Sequence, residues 1–556
     1  MNEYEDGCRK IINKILEGEI KTEAELNEEK RKLSTKLKLN KFIRNSEILK
    51  FAEPEERGKL KLLLKRPTRT TSGVAVVAVM TKPSKCPHGK CRYCPGGVEL
   101  GVPQSYTGKE PAARRAIRYE FDPYLQAAIR TSQLKIIGHP VDKVELIVMG
   151  GTLTAQCIDY QEFVVKECLR AMNEFKKNYE FIEKFGEEEF VEKYRGERKG
   201  REGRKRSFQY LEDIQKQNET APVRCVGMTF EPRPDRARCE QIDYMLNFGV
   251  TRIEMGVQNP YDFIYRRVNR GHTVADVVCA TQELKDSGIK VGYHLMPGIL
   301  GNNPGQDMRA FHKIFNDSRF MPDMLKIYPL IILKGTEYYD LWKSGNFKPM
   351  TTKEAVDLIV KIKGKLPEWV RTMRIMRDIP SNLVEAGIKH SNLGELVYNR
   401  MEELGVKCNC IRCREVGLFL RKGIEPENDN IKLVRTDYEA SGGKEIFLSY
   451  EDVKQDILIG FLRLRIPYKP HRPEIVSASL VRELHVYGPM VEIGEKPGYE
   501  FQHRGYGREL LKEAERITRE EFNLNKILVT SGIGAREYYR KFGYGRDGVY
   551  MGKELN

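Results

Sequence analysis

The 556 residues read as an α/β protein in two parts, a partial (β/α)6 barrel followed by a smaller α/β domain. Three observations predict it. Between residues 74 and 330, six short, apolar, β-branched runs alternate with helical stretches, the order a parallel sheet requires. That alternation lapses after Pro380, and a new set of strand and helix patterns begins near residue 430. The length itself exceeds one core, at roughly 100–200 residues per domain.

Residues 1–70 are helical in pattern and strongly basic, with Lys30, Arg31, Lys32, Lys36, Lys38, Lys41 and Arg44 ahead of Lys65, Arg66 and Arg69. Such a run suits an RNA-docking arm; a solvated helical face or a partly disordered tail is the competing reading. The barrel domain is expected over 71–380, with strands at 74–80, 144–149, 225–230, 252–257, 290–295 and 324–330. In such a barrel the chemistry gathers at the C-terminal ends of the strands. A charged insertion near 175–220, including Arg195 and Arg206, is expected to lie outside the core. Residues 381–430 read as a linker. The second domain, 431–556, is expected to hold strands at 456–465, 483–487 and 526–530 and helices at 507–521 and 536–542.

Lys and Arg number 95 against 79 Asp and Glu, a formal charge of +16 that favours a polyanionic partner. Six of the 12 cysteines fall in two tight clusters, and others such as Cys225, Cys239 and Cys279 are scattered through apolar segments. This is not a disulfide framework, and it points to the reducing cytoplasm. No apolar N-terminal region and no run of about 20 apolar residues occurs, so no membrane association is expected.

Cys86-Pro-His-Gly-Lys-Cys91-Arg-Tyr-Cys94 puts three thiols on one loop directly after the first strand. Three thiolates suit a soft metal centre. A structural zinc wants four ligands, and His88 is the only local substitute for a fourth cysteine. A 4Fe–4S cluster with one iron left open fits better. The loop resembles that of radical S-adenosylmethionine (SAM) enzymes, C-x3-C-x2-C with an aromatic before the last cysteine, here Tyr93; this chain has C-x4-C-x2-C. Gly150-Gly151-Thr152, just past the second strand, resembles the turn that receives the methionyl amine of SAM, and His294-Leu-Met-Pro-Gly298 has a radical SAM look. Bland alternatives are a strand-ending turn and a core histidine.

Gln502-His-Arg-Gly505-Tyr506-Gly507-Arg508 leads into a long helix whose first amides would face a pyrophosphate. The pattern resembles the Q/R-x-x-G-x-G/A loop of GNAT acetyltransferases. That resemblance implies acetyl-CoA held by the strand Glu483, Leu484, His485 and Val486, by Tyr506, Gly507 and Arg508, and by a tyrosine at the thioester sulfur. Tyr539 is expected there, with Tyr538 as its competitor.

Together with Gln104-Ser-Tyr-Thr-Gly108, Met149-Gly-Gly-Thr152 and Arg482-Glu-Leu-His-Val-Tyr-Gly488, these motifs resemble the catalytic subunit of Elongator in its stand-alone archaeal form, over nearly the whole chain. The resemblance implies formation of 5-carboxymethyluridine at the wobble uridine of tRNA. A SAM-derived radical takes hydrogen from the acetyl methyl, the carbon adds to C5 of uracil, and hydrolysis releases CoA. It assigns the cluster to Cys86, Cys91 and Cys94, and an acetyl-CoA contact from the barrel side to Lys143, otherwise a solvated lysine. Implied partners are the tRNA anticodon stem-loop, an electron donor and, in other lineages, further Elongator subunits or a second copy.

Cys408-Asn-Cys410-Ile-Arg-Cys413 reads as a structural zinc site lacking an evident fourth ligand, with His390 a nearby candidate. Two rival functions stand beside the main one. A protein lysine acetyltransferase would keep the iron–sulfur region as structure alone, and a tRNA-binding scaffold would respond to acetyl-CoA without catalysis.

Overall fold

A computed structural model describes residues 3–39, 42–53, 56, 59–63, 73–201, 210–301, 303–488 and 504–555. Lys41, Lys65, Arg66 and Arg69 of the basic segment, Arg206 of the insertion, and Gln502 with His503 of the phosphate-loop pattern lie outside these residues. Helices Glu3–Leu16, Glu23–Lys36 and Asn45–Leu49 form a small unit with its own core, built on Cys8, Ile11, Ile12, Leu26 and Ile48. Thr22 and Glu25 close a reciprocal capping box at the second helix, which fixes where it starts.

The barrel sheet carries seven parallel strands: β1 Ala75–Met80, β2 Lys143–Met149, β3 Arg224–Phe230, β4 Arg252–Gln258, β5 Lys290–Leu295 and β6 Met324–Ile327. After a short strand, β7 Ile332–Leu333, comes the seventh, β8 Arg371–Ile375, and β9 Val384–Ala386 pairs with β7 outside the sheet. The partial barrel of the sequence reading is therefore present with one strand more. Arg-Thr-Met-Arg-Ile lacks the apolar signature because Arg371 is consumed by an ion pair with Glu415 at 2.9 Å.

Two expectations are corrected. The charged insertion does not stand clear of the core: helices Phe175–Phe185 and Glu187–Arg201 bury Phe175, Ile182 and Phe190 against the barrel helices, and Tyr194 stacks on Tyr124 at 4.7 Å. Its charges face outward and mask the apolar stripe. The linker is likewise packed, since helix Leu393–Glu403 places Val397 and Met401, and the following turn places Cys408 and Cys410, in the main core.

The second sheet runs β10 Ile431–Ala440, β11 Gly443–Asp452, β12 Ile457–Ile466, β13 Ala478–Val486, β14 Lys526–Val529, β15 Gly545–Asp547 and β16 Tyr550–Glu554, in the order β10-β11-β12-β13-β14-β16-β15. β13 pairs with β14 in parallel only over Ala478 to Val481; Glu483 to Val486 continue along β12 alone. The strands thus splay and leave a slot. This domain docks on the N-terminal ends of the barrel strands: Arg482 binds Asp323 just before β6, and Arg371 at the start of β8 donates to Tyr487. The turn Gly532–Gly534 presses on Arg224 and Val226 of β3, where a Cβ on either glycine would meet the strand. Among the described residues no helix is long and apolar enough to cross a membrane.

Candidate active site

The cysteine loop sits at the C-terminal ends of β1 and β2. Cys91 and Cys94 are buried and Cys86 is half-buried, which raises its thiol. Gly150 and Gly151 turn with φ of 123° and 71°, and a Cβ on Gly150 would stand 2.6 Å from Thr81 Oγ1, so this turn requires glycine. It delivers Thr152 Oγ1 to 3.9 Å from Cys86 Sγ. Gln104 donates from Nε2 to Cys94 Sγ at 3.0 Å, Ser105 Oγ lies 3.1 Å from the same sulfur, His88 Nε2 lies 3.1 Å from Cys91 Sγ, and Arg270 donates to that sulfur at 3.6 Å.

These residues fit an iron–sulfur cluster. Donors aimed at the sulfurs suit thiolates. Several buried polar atoms near the loop lack a hydrogen-bond partner: Tyr93 Oη, His88 Nδ1, Arg233 Nη1, Arg270 Nε and both ring nitrogens of His272. The three sulfurs do not gather within 4.8 Å of one another, as ligands of one ion would, whereas thiolates of a cluster bind separate irons. His88 supplies a neighbour to Cys91 and does not complete a compact single-ion set.

A barrel interior is commonly filled by branched apolar side chains. This one carries charge. Arg252 pairs with Glu145 and with Glu254, and Lys326 pairs with Glu254 and, at 3.0 Å, with Glu231. His294 Nε2 lies 3.1 Å from Glu254 and its ring meets Tyr328 edge-on at 5.4 Å. His294 is therefore a hydrogen-bonded histidine of the interior, as the core-histidine alternative has it.

At the other end, Lys143 opens β2 as the register partner of Arg224, and burial lowers its ammonium. Lys143 and Gly150 terminate the same strand and stand roughly 20 Å apart. The second domain's slot is assembled from Val486, Gly507 and Tyr538: a Cβ on Gly507 would lie 2.6 Å from Tyr538 Oη and 3.6 Å from Val486. Gly505, with φ 95°, precedes helix Tyr506–Arg516, whose first turn sets Gly507 beside Val486 and Tyr538. Glu483 does not offer its carboxylate to the slot, because Arg463 holds it at 2.9 Å. His485 packs against Tyr487 at 4.3 Å, Leu484 lies against the second-domain core, and Arg508 is exposed. Tyr539 is buried in that core with its ring edge on Tyr544, and burial raises its hydroxyl; Tyr538 is partly exposed and pushed up to about 12 by burial.

Cys408, Cys410 and Cys413 bring their sulfurs within 4.8 Å of one another, the spacing of ligands to one ion. Thr372 donates to Cys410 Sγ at 3.4 Å and Lys363 at 3.9 Å. Hydrogen bonds from Cys408 and Cys413 and the Lys363 charge hold the Cys410 thiol well below its ordinary range. His390 is exposed and outside this group. Sequence reasoning missed Lys363, Arg270 and the sulfur-facing role of Gln104; only Gln104 stood in a motif that could have signalled it.

A cysteine loop at the C-terminal end of a parallel half-barrel, joined to a splayed-strand acetyl-CoA fold, defines a radical SAM protein fused to a GNAT domain. Family models agree: the radical SAM superfamily matches residues 81–313, the Radical_SAM C-terminal domain 322–403, the acetyltransferase (GNAT) family 419–544 and the ELP3 N-terminal domain 4–71. The chain is 54% identical over 518 residues to a tRNA uridine(34) acetyltransferase of Methanocaldococcus infernus, covering 92% of this chain and 91% of that protein. It is 41% identical over 560 residues to human Elongator complex protein 3, covering 98% and 96%. A solved structure of the Methanocaldococcus infernus Elp3 lacking residues 1–46 superposes with a TM-score of 0.73 at 49% identity, over 87% of this chain and all of that one. The chain belongs to the Elongator complex protein 3 family.

Proposed function

We propose that this protein is a tRNA-modifying enzyme that builds 5-carboxymethyluridine at the wobble uridine from acetyl-CoA, with SAM as the radical source. The observation that carries this reading is the coexistence, in one chain, of a sulfur-facing donor set around Cys86, Cys91 and Cys94 and a splayed GNAT slot at the opposite end of the same barrel. Names of the relatives, tRNA uridine(34) acetyltransferase among them, support the substrate.

Cys86, Cys91 and Cys94 would hold a 4Fe–4S cluster, and Gly150, Gly151 and Thr152 the amino-acid end of SAM. When bound, this pair supplies one-electron cleavage of a carbon–sulfur bond, which opens an unactivated methyl group to hydrogen removal. The donors from Gln104, Ser105, His88 and Arg270 keep sulfur charge stabilised in a buried site. The main chain of Glu483, Leu484, His485 and Val486 would pair with the pantetheine arm. Amides of Tyr506, Gly507 and Arg508 would meet the pyrophosphate, Lys143 would reach acetyl-CoA from the barrel, and the Tyr539 hydroxyl would serve the thioester sulfur, with Tyr538, whose hydroxyl stands at the slot while Tyr539 packs in the core, as its competitor. The basic helices of the N-terminal unit suit the anticodon stem-loop. Cys408, Cys410 and Cys413 would hold a structural zinc with a fourth ligand from outside this trio.

A lysine acetyltransferase reading gains nothing from the slot, since Glu483 is occupied by Arg463 and is not offered as a base. The test is a substitution. In anaerobically reconstituted protein with reductant, SAM, acetyl-CoA and tRNA, Cys91→Ala should abolish modified nucleoside and leave tRNA binding nearly unchanged. Product from the variant, or none from the intact protein with its cluster in place, contradicts the proposal.

A further inference from the structure

The motif Arg482-Glu-Leu-His-Val contains one residue that acetyl-CoA binding does not account for, its arginine. In the register of β12 with β13, Arg463 faces Glu483 and Leu464 faces Val481, so Arg482 is an extra residue, a β-bulge. The bulge falls where pairing of β13 with β14 ends at Val481. It therefore marks the point at which the strand turns away and the slot begins.

The guanidinium of Arg482 is fully buried, and each of its nitrogens is engaged. Nη1 and Nη2 donate to the two Asp323 oxygens at 2.7 and 2.6 Å, Nη2 and Nε to Glu445 Oε2 at 2.7 and 3.2 Å, and Nη1 to Ile289 O at 3.3 Å. Glu445 stands on β11 of the same domain. Asp323 belongs to the barrel, where its Oδ2 also accepts from Val291 N at 2.8 Å and its Oδ1 from Lys285 at 3.3 Å. One carboxylate thus ties the bulge of the acetyl-CoA strand to the start of β5. A planar, bidentate pair of this kind fixes orientation as well as distance.

The network is balanced in charge. Lys285, Arg463, Arg465 and Arg482 face Asp286, Asp323, Glu445 and Glu483, and four of the ion pairs cross from barrel to second domain: Lys285–Glu445, Arg463–Asp323, Arg465–Asp286 and Arg482–Asp323. Buried ion pairs are costly to assemble and are weak evidence for stability by themselves. A device that fixes one geometry is the better-attested use of such groups.

We infer that Asp323, a radical SAM-domain residue, is a positioning residue for the acetyl-CoA slot of the GNAT domain, acting through Arg482 to hold the bulge that splays Glu483 to Val486 from β14. The inference rests on the proposed acetyl-CoA binding. It makes the slot complete only when the barrel is docked, so the two halves share structure as well as substrate.

The test uses the full chain and acetyl-CoA binding by titration calorimetry, with iron content and melting temperature recorded for each variant. Asp323→Asn should weaken acetyl-CoA binding about tenfold, with full iron content. Asp286→Asn is the control: it disturbs the same buried network through Arg465, away from the bulge, and should lower the melting temperature without weakening acetyl-CoA. If Asp323→Asn does not fold, Arg482→Lys replaces it, because one ammonium cannot span Asp323 and Glu445 as the fork does. Undiminished affinity in the folded variant, or an equal loss in Asp286→Asn, overturns the inference. Failure of the unsubstituted chain to bind acetyl-CoA is a different result and overturns the reading beneath it.

Discussion

Gln104 donates to Cys94 Sγ at 3.0 Å and to Gly96 O at 2.6 Å, so one side-chain amide both braces the cysteine loop and points a donor at a sulfur. Removing a donor from a cluster thiolate disfavours the extra electron of the reduced state. Gln104→Leu is expected to keep its iron and shift the cluster's midpoint potential to more negative values in an EPR-monitored redox titration. An unchanged potential would show that the contact only braces the loop.

In the acetyl-CoA slot, Gly507→Ala places a methyl 2.6 Å from Tyr538 Oη. Weaker acetyl-CoA binding should follow, and Tyr538→Phe, which removes the opposing oxygen, should restore part of it. Additive losses in a double-mutant cycle would contradict the geometry. Tyr539→Phe should instead lower turnover on the order of a hundredfold with little change in KM, if its hydroxyl serves the leaving sulfur.

Asp307 lies buried under the loop after β5, accepts from Gly298 N at 2.9 Å, and is pushed up to about 7 by burial. An unfolded aspartate titrates near about 3.9. Between these values the folded chain holds the proton more tightly than the unfolded chain, so this group's contribution to stability falls as pH rises through the window and levels off above it. Asp307→Asn keeps an acceptor for Gly298 and cannot ionise. Its melting temperature should exceed that of the unsubstituted protein at pH 8, with the gain shrinking toward pH 5. Equal differences at both pH values would contradict the assignment.

For the second cysteine cluster, elemental analysis should find one zinc per chain, and Cys413→Ser should lose zinc and melting temperature while retaining iron. Zinc-free native protein would contradict the zinc site and leave Lys363 as the counter-charge that the structure sets beside the Cys410 sulfur.

Much of this architecture was legible in the order of residues. The span 290–295 is the strand Lys290–Leu295, because apolar residues there are flanked by a turn and a helix. Polar strands were not legible: β10 is an edge strand whose outward side chains are charged, and β8 carries Arg371 toward Glu415. The three thiols of the cysteine loop declare themselves by clustering after the first strand, although C-x4-C-x2-C departs from the usual C-x3-C-x2-C. Their donors do not, since Arg270 reaches Cys91 across 179 positions of sequence, a contact that only the closed barrel creates. The separation of Lys143 from Gly150 followed from the strand expected at 144–149; what was hidden is that the second domain sits at the N-terminal ends, because no local pattern places one domain against the other.

That separation sharpens the central question of whether the acetyl methyl reaches the radical chemistry. Acetyl-CoA deuterated at its methyl group, supplied with SAM, reductant and tRNA, decides it by mass spectrometry of the small-molecule products. Deuterium in 5′-deoxyadenosine, together with 5-carboxymethyluridine in the digested tRNA, is the expected result. Deuterium-free 5′-deoxyadenosine alongside an acetylated protein or nucleoside would contradict a shared reaction of the two domains.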